Sequence, residues 1–382
     1  MGEAIHAAAT DNRIRELIAL YSAPDACPAD LLCDRHDHAA RAYRIIGAAL
    51  SVADISYGEL ADESARFAGA LAGLGVGPGD RVATLMGKSR DYLVALVGIW
   101  RLGAVHVPLF TAFAPPAIAL RLLGSKARLV ICDAAQRAKL DPGGAMPADP
   151  SWQVVTTGAG GAGALGFRAL LESAKGPAPA AVVGGDAPFI HIYTSGTTGN
   201  PKGVVVPVKA LASFRAYAEF GFDLRGDDVF WCAADPGWAY GLYYGILATF
   251  LTGTPSLLLE ANFSPDTTMA VLRQEQVTNF AAAPTVYRSL RASGLAAREG
   301  LALRCASSAG EPLTPEVNAW APGALGVLVH DHYGQTEAGM LVNNHHHPAV
   351  AGMLRDRSMG RPMPGWSAVI LGDGQDAEIA PG

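Results

Sequence analysis

Between Ser56 and Asp133 helix-length and strand-length apolar segments alternate, and this rhythm limits the folds open to the chain more than any other feature. Ser56 followed by Glu59 makes a capping box, after which Leu60, Phe67, Leu71 and Leu74 recur on one helical face until Gly75 ends it. Residues 81–86 read as a buried strand, 91–102 as a helix closed by Gly103, 105–110 as a second strand, and 128–133 as a third. Strands alternating with helices predict parallel sheet layers covered by helices, an α/β architecture.

At 382 residues, with 50% hydrophobic and 17% charged side chains, the chain can bury a large core and is expected to divide into more than one folding unit. From residue 152 to 185 the texture loosens into Gly, Ala and Pro, so a first α/β subdomain is expected over 1–185 and a second over 186–325. The second holds strand signals at 188–194, 228–233, 256–260, 279–283 and 303–307. Ser264-Pro265 and Thr314-Pro315 each read as a helix N-cap with proline at the first helical position. Residues 326–382 begin with a strand at 327–331 and turn, past Gly360, into a small β-rich element.

Charge and cysteine content narrow the function. The formal net charge is -6 and the basic residues are scattered, so there is no electrostatic footprint for nucleic acid, and an anionic substrate must meet a local positive site. The five cysteines form no CxxC pair and no disulfide framework, so a reducing cytoplasm is expected. No signal peptide is visible at the N-terminus, and the longest apolar runs, 92–100 and 239–251, are shorter than a membrane span.

Four segments carry chemistry. The strand at 188–194 runs into Thr194-Ser195-Gly196-Thr197-Thr198-Gly199-Asn200-Pro201-Lys202-Gly203, where glycines let several N–H groups face one anion, hydroxyls add donors and Lys202 adds charge. Such a loop suits polyphosphate. It is not a Walker A loop, because Lys202 stands between Pro201 and Gly203, and Ser195 is not in a nucleophile elbow. In Asp331-His332-Tyr333-Gly334-Gln335-Thr336-Glu337, Tyr333 offers a stacking face, Thr336 a hydroxyl and Glu337 a hard oxygen ligand. Gly310-Glu311-Pro312 forms a tight turn after a strand. The stretch from Trp231 to Gly245 is dense in aromatics, and Trp238, Tyr240, Tyr243 and Tyr244 cannot all face one way on a single helix or strand, so some of them are expected to line a cavity.

The loop at 194–203 resembles the phosphate-binding loop of the adenylate-forming family, which includes acyl-CoA synthetases, luciferases and peptide-synthetase adenylation domains. GDRVATLMGKSRDYLVALVGIWRLGAVHVPL, SSAGEPL, DHYGQTE and MGRPMPG follow in family order. The resemblance implies the large N-terminal part of an acyl-CoA synthetase, with two helix-flanked β-sheet subdomains and a small β-rich element. It implies that Gly310, Glu311 and Pro312 line the adenine pocket together with the strand residues Asp331, His332, Gly334 and Gln335, and that Tyr333 stacks on adenine. It further implies that Thr336 touches the α-phosphate, that Glu337 binds Mg²⁺, and that Trp238, Tyr240 and Gly241 border the acyl group. ATP, a carboxylic acid and CoA are the implied substrates. YGQTE and the aromatic segment look more like medium-chain or aromatic acyl-CoA synthetases than acetate enzymes, which usually carry tryptophan at the position of Tyr333.

Two other readings stay open: an amino-acid adenylation domain, for which Asp235 could hold the amine, and a nucleotide-binding module without catalysis. The second rests on the chain end, since the family's ribose-binding aspartate, hinge and C-terminal catalytic lysine are expected beyond position 382. This chain is accordingly expected to bind substrates but turn over poorly. Three further patterns read as non-functional. Residues 158–163 match GxGxxG without a following acidic strand end, Cys27, Cys33, His36 and His38 fit no zinc spacing, and His345-His346-His347 reads as a solvated loop.

Overall fold

The computed structural model describes residues 2–158, 165–194, 201–295 and 297–372. Among the described residues there are two large sheets. The seven-stranded sheet has the order Leu165–Gly166, Gln153–Thr156, Leu129–Cys132, Arg81–Leu85, Val105–Pro108, Pro188–Thr194, Lys202–Pro207, parallel except for the last pair. The nine-stranded sheet runs Arg361–Pro362, Gly339–Asn343, Val329–Gln335, Cys305–Ala309, Asn279–Ala282, Phe230–Cys232, Ser256–Leu259, Arg41–Ile46, Val52–Ser56. Its interior is parallel and both edges close with antiparallel pairs.

The two sheets are interleaved along the chain, with strands from both sides of residue 185 in each. Strands 188–194 and 202–207 belong with the early strands, while Arg41–Ile46 pairs in parallel with Ser256–Leu259, Tyr43 opposite Ser256. The reason is hydrogen bonding: a strand pairs with whichever neighbour leaves backbone groups unsatisfied, however distant in sequence.

Helices Tyr57–Gly73 and Arg90–Arg101, with helical segments at 211–221 and 241–252, contribute to one core that both sheets share. The far side of the seven-stranded sheet is covered by helix Pro115–Ser125, and that of the nine-stranded sheet by Pro265–Gln274, Pro284–Ser293 and Pro315–Ala324. The capping box forms as read, with Glu59 N–H donating to Ser56 Oγ at 3.1 Å and Ser56 N–H to Glu59 Oε2 at 2.9 Å. Ser264 caps its helix through the Thr267 N–H, whereas the Thr314 side chain makes no cap bond. No helix among the described residues is long and apolar enough to cross a membrane.

Candidate active site

The glycine and hydroxyl loop connects two antiparallel strands whose register sets Thr194 opposite Lys202. The hairpin therefore brings the first and last members of the motif side by side, with the Lys202 side chain exposed. Ser195, Gly196, Thr197, Thr198 and Gly199, between them, lie outside the described residues, as does most of the GxGxxG stretch. Among the described residues Thr194 and Lys202 line neither of the two cavities that follow.

Strands Cys305–Ala309 and Val329–Gln335 are parallel neighbours, with Ser308 opposite Asp331 and Ala309 opposite His332. Their carboxyl ends thus set the Gly310–Pro312 turn beside Asp331–Gly334, the usual location of a ligand crevice in a parallel sheet. Gly310 takes a φ of +104°, which lets the chain leave the strand sharply. A cavity of about 660 Å³ opens there, lined among others by Gly310, Pro312, Asp331, Tyr333 and Gly334. Tyr333 presents its ring at 37% exposure and its hydroxyl accepts from Gln335 Nε2 at 3.0 Å. Asp331 accepts the Leu313 N–H at 3.2 Å, and burial pushes its carboxyl above the ordinary carboxylate range.

His332 borders this cavity, but its imidazole is buried in the core. Nδ1 lies 2.6 Å from the Tyr217 hydroxyl and Nε2 3.0 Å from the Asn344 carbonyl. A carbonyl can only accept, so Nε2 carries the proton and Tyr217 donates to Nδ1. Burial pushes this imidazole down to about 3.

A second cavity of about 400 Å³ is lined by Trp238, Tyr240, Tyr243, Tyr244 and Thr336, and by Gly310 and Gly334 again. The four aromatics all meet one space, where the sequence leads us to expect only some of them to line a cavity. Tyr240, Tyr243 and Tyr244 are spaced i, i+3 and i+4, which is one helical face, and Trp238 reaches the rim from the preceding turn against Phe110 and Phe113. Residues Gly241–Leu247 are wound as a π-helix, a form that concentrates at functional sites. Gly241 does not face the cavity. A Cβ there would stand 2.2 Å from the Asp235 carbonyl, so this glycine serves a close backbone approach. The Tyr243 hydroxyl donates to the Thr336 carbonyl at 3.2 Å and so fixes the segment bearing Thr336 and the exposed Glu337. Gly334 is equally constrained, since a Cβ would stand 2.3 Å from the Gly339 carbonyl.

The histidine run is not a solvated loop. His345 is 2% exposed, and the N–H groups of His346 and His347 donate to the carbonyls of Gly221 and Phe220. The His346 ring stacks on His330 with centroids 3.7 Å apart and planes 12° apart. The run follows strand Gly339–Asn343 directly into the gap beside the 217–221 turn, where flat rings fill space that solvent would otherwise enter. One nitrogen each of His330, His332 and His346 lies within 4.8 Å of the others. Their geometry is that of packing, because stacked rings aim in-plane lone pairs side by side and both nitrogens of His332 are engaged.

Residues 35–382 match the family model described as AMP-binding enzyme. An acetyl-coenzyme A synthetase of Bacillus subtilis (strain 168) is 32% identical over 338 residues, which is 85% of this chain and 57% of that protein. The chain spans about half the length of the curated relatives it matches. The crystal structure of a Brucella canis acyl-CoA synthetase superposes with a TM-score of 0.89 at 39% identity, covering 96% of this chain and 68% of the other. A benzoate CoA ligase from Burkholderia xenovorans LB400 gives 0.75 at 29% identity, covering 86% and 63%. With two contiguous cavities at the strand ends and the motifs in order, the chain belongs to the AMP-binding, acyl-CoA synthetase family of enzymes.

Proposed function

We propose that the chain activates a carboxylic acid with ATP, forming an acyl-adenylate and pyrophosphate, and passes the acyl group to CoA as AMP leaves. One observation carries this reading: Gly310 and Gly334 line both cavities, so a nucleotide beside Tyr333 and an acid among the aromatics meet where no Cβ stands between them. In the first step a carboxylate oxygen bonds to the α-phosphorus and the bond to pyrophosphate breaks. Two anions must approach, so neutralising and orienting charge is the main task. Thr336, which lines the second cavity with the shared glycines, is assigned in this reading to donate its hydroxyl to the α-phosphate, and Lys202 to supply a cation to the polyphosphate.

Glu337 fits the implied Mg²⁺, being an exposed carboxylate one residue from Thr336 and a hard oxygen donor. Bound there, Mg²⁺ would neutralise charge building on the polyphosphate.

The acid is proposed to be medium-chain or aromatic, since the aromatic walls and the volume of the second cavity exceed what an acetyl group fills. Sequence relatives are named for acetyl-CoA and a structural one for benzoate, so the family supports both sizes. An amino-acid substrate is disfavoured because Asp235 Oδ1 accepts the Gly237 N–H at 2.7 Å within its own turn. A structure with a non-hydrolysable acyl-AMP analogue tests the assignment, and adenine density away from Tyr333 and Gly310 would refute it. Acid-dependent exchange of labelled pyrophosphate into ATP tests the chemistry, with CoA and a carrier-protein thiol compared as acceptors.

A further inference from the structure

Residues 355–358 form a turn closed by the Ser358 N–H on the Arg355 carbonyl at 3.1 Å, with Arg357 third in the turn at a φ of +59°. That position of a β-turn at positive φ suits glycine, and an arginine held there is strained. Such an outlier beside a cavity raises the question of what its side chain does. The turn is firmly held. Asn344 Nδ2 donates to Ser358 O at 2.7 Å and to Asp331 O at 3.0 Å, while its own carbonyl receives His330 and His332. Strand and turn are therefore tied through one side chain, and Arg357 shares the larger of the two cavities with Tyr333 and Pro312.

The other ionised side chains of that cavity are acidic. Glu311 is paired with Arg288 at 2.9 Å, and Asp331 is tied to the Leu313 N–H. Glu316 keeps its carboxyl below the ordinary range chiefly through its own backbone N–H, with Arg357 the least of the contributors. Among the described residues Arg357 has no ion pair within contact distance, so its guanidinium remains available. Thr336, which marks the phosphate end, lines the other cavity, so Arg357 addresses the opposite, base end of a bound nucleotide.

We propose that Arg357 is a base-selecting residue, its planar guanidinium packing on the purine ring that Tyr333 also contacts; the proposal rests on the nucleotide reading above. A guanidinium gains from the face of an aromatic ring, and a fused purine offers more of it than a pyrimidine.

Calorimetric titration of AMP and UMP into the wild type, Arg357→Gly and Arg357→Lys tests this. Glycine relieves the positive φ, so Arg357→Gly should melt at or above the wild-type temperature. Its AMP affinity should nevertheless fall about three- to tenfold, with UMP changed by less than about twofold and Arg357→Lys in between. Unchanged AMP affinity in Arg357→Gly overturns the role of the arginine and leaves the nucleotide site standing. Equal losses for AMP and UMP overturn base selection. A wild type that binds no AMP overturns both readings together.

Discussion

The Tyr217 hydroxyl meets Nδ1 of His332 at 2.6 Å inside the core, joining the helical segment 211–221 to the strand that carries Tyr333. Both rings are buried, so neither polar atom can turn to water for a substitute. Tyr217→Phe keeps the ring and removes the donor, leaving Nδ1 of His332 without a partner. The expected cost is about 1–3 kcal/mol, read as a lower urea midpoint. A midpoint equal to the wild type would show that the bond contributes nothing net.

Acid should loosen the same region. Burial pushes His332 and His106 down to about 3, and lowers His330, His345 and His346 as well. A histidine kept neutral in the fold binds its proton in the unfolded chain at about 6.5, so the unfolded state holds more protons below that pH. Stability is then fully present above about 6.5 and is lost as pH falls from there toward 3. Each such histidine removes about 1.4 kcal/mol per pH unit within the window. Buried Asp331 and half-buried Asp235 and Asp91, whose carboxyls are raised first by desolvation, act in the opposite direction, but only nearer the carboxylate range. Urea midpoints at pH 7.5 and 5.5 should therefore differ clearly, and equal midpoints contradict the argument.

What could be read from sequence follows a physical line. Strands Arg81–Leu85, Leu129–Cys132 and Asn279–Ala282 lie inside parallel sheets, and burial on both faces gives continuous apolar runs that are visible locally. Arg41–Ile46 is not legible locally, because its outward arginines pair with partners elsewhere, Arg44 with Asp54 and Glu275, and its sheet partner lies some two hundred positions away. Helix Gly2–Tyr21 is no more legible. It docks through Leu17 and Tyr21 and through Arg13 on Glu219, without a regular apolar stripe. Tyr333, Gly310 and Trp238 stand out in the sequence as candidates because of their chemistry and motif context, and each lines one of the two cavities. Arg357 carried no local signal, because the need for positive φ appears only in three dimensions.

The hairpin makes a prediction about charge. Thr194 and Lys202 face each other at the base of the loop, and the Lys202 side chain is exposed, which suits a terminal phosphate better than an α-phosphate deep in the site. Lys202→Ala should weaken ATP by about 1.5–3 kcal/mol, as for a lost charged hydrogen bond, and AMP by much less. Titration of both nucleotides into both proteins reads this difference. Equal losses for ATP and AMP would place the lysine at the α-phosphate instead.

The second cavity, proposed above to take the acyl group, sets the final prediction. Its volume of about 400 Å³ and its walls of Trp238, Tyr240, Tyr243 and Tyr244 leave an acetyl group in contact with little of the surface. Each further methylene that reaches the walls should add up to about 0.8 kcal/mol, so acyl-AMP analogues should tighten from acetyl through hexanoyl before the cavity fills. Benzoyl should also bind well, because the ring can meet Trp238 edge or face. Trp238 is 40% exposed and packs mainly on Phe110 and Phe113, so Trp238→Ala should leave the fold largely intact while opening the rim. The benzoyl analogue should then lose about 0.5–1.5 kcal/mol, the usual worth of an aromatic pair, and a long flexible chain should lose less because it can extend through the opened rim. Thermal-shift titration of both proteins with the acyl series measures each term. Preference for acetyl in the wild type would contradict the size argument. Equal losses for acetyl and benzoyl in Trp238→Ala would mean that the tryptophan supports the nucleotide and not the acyl group.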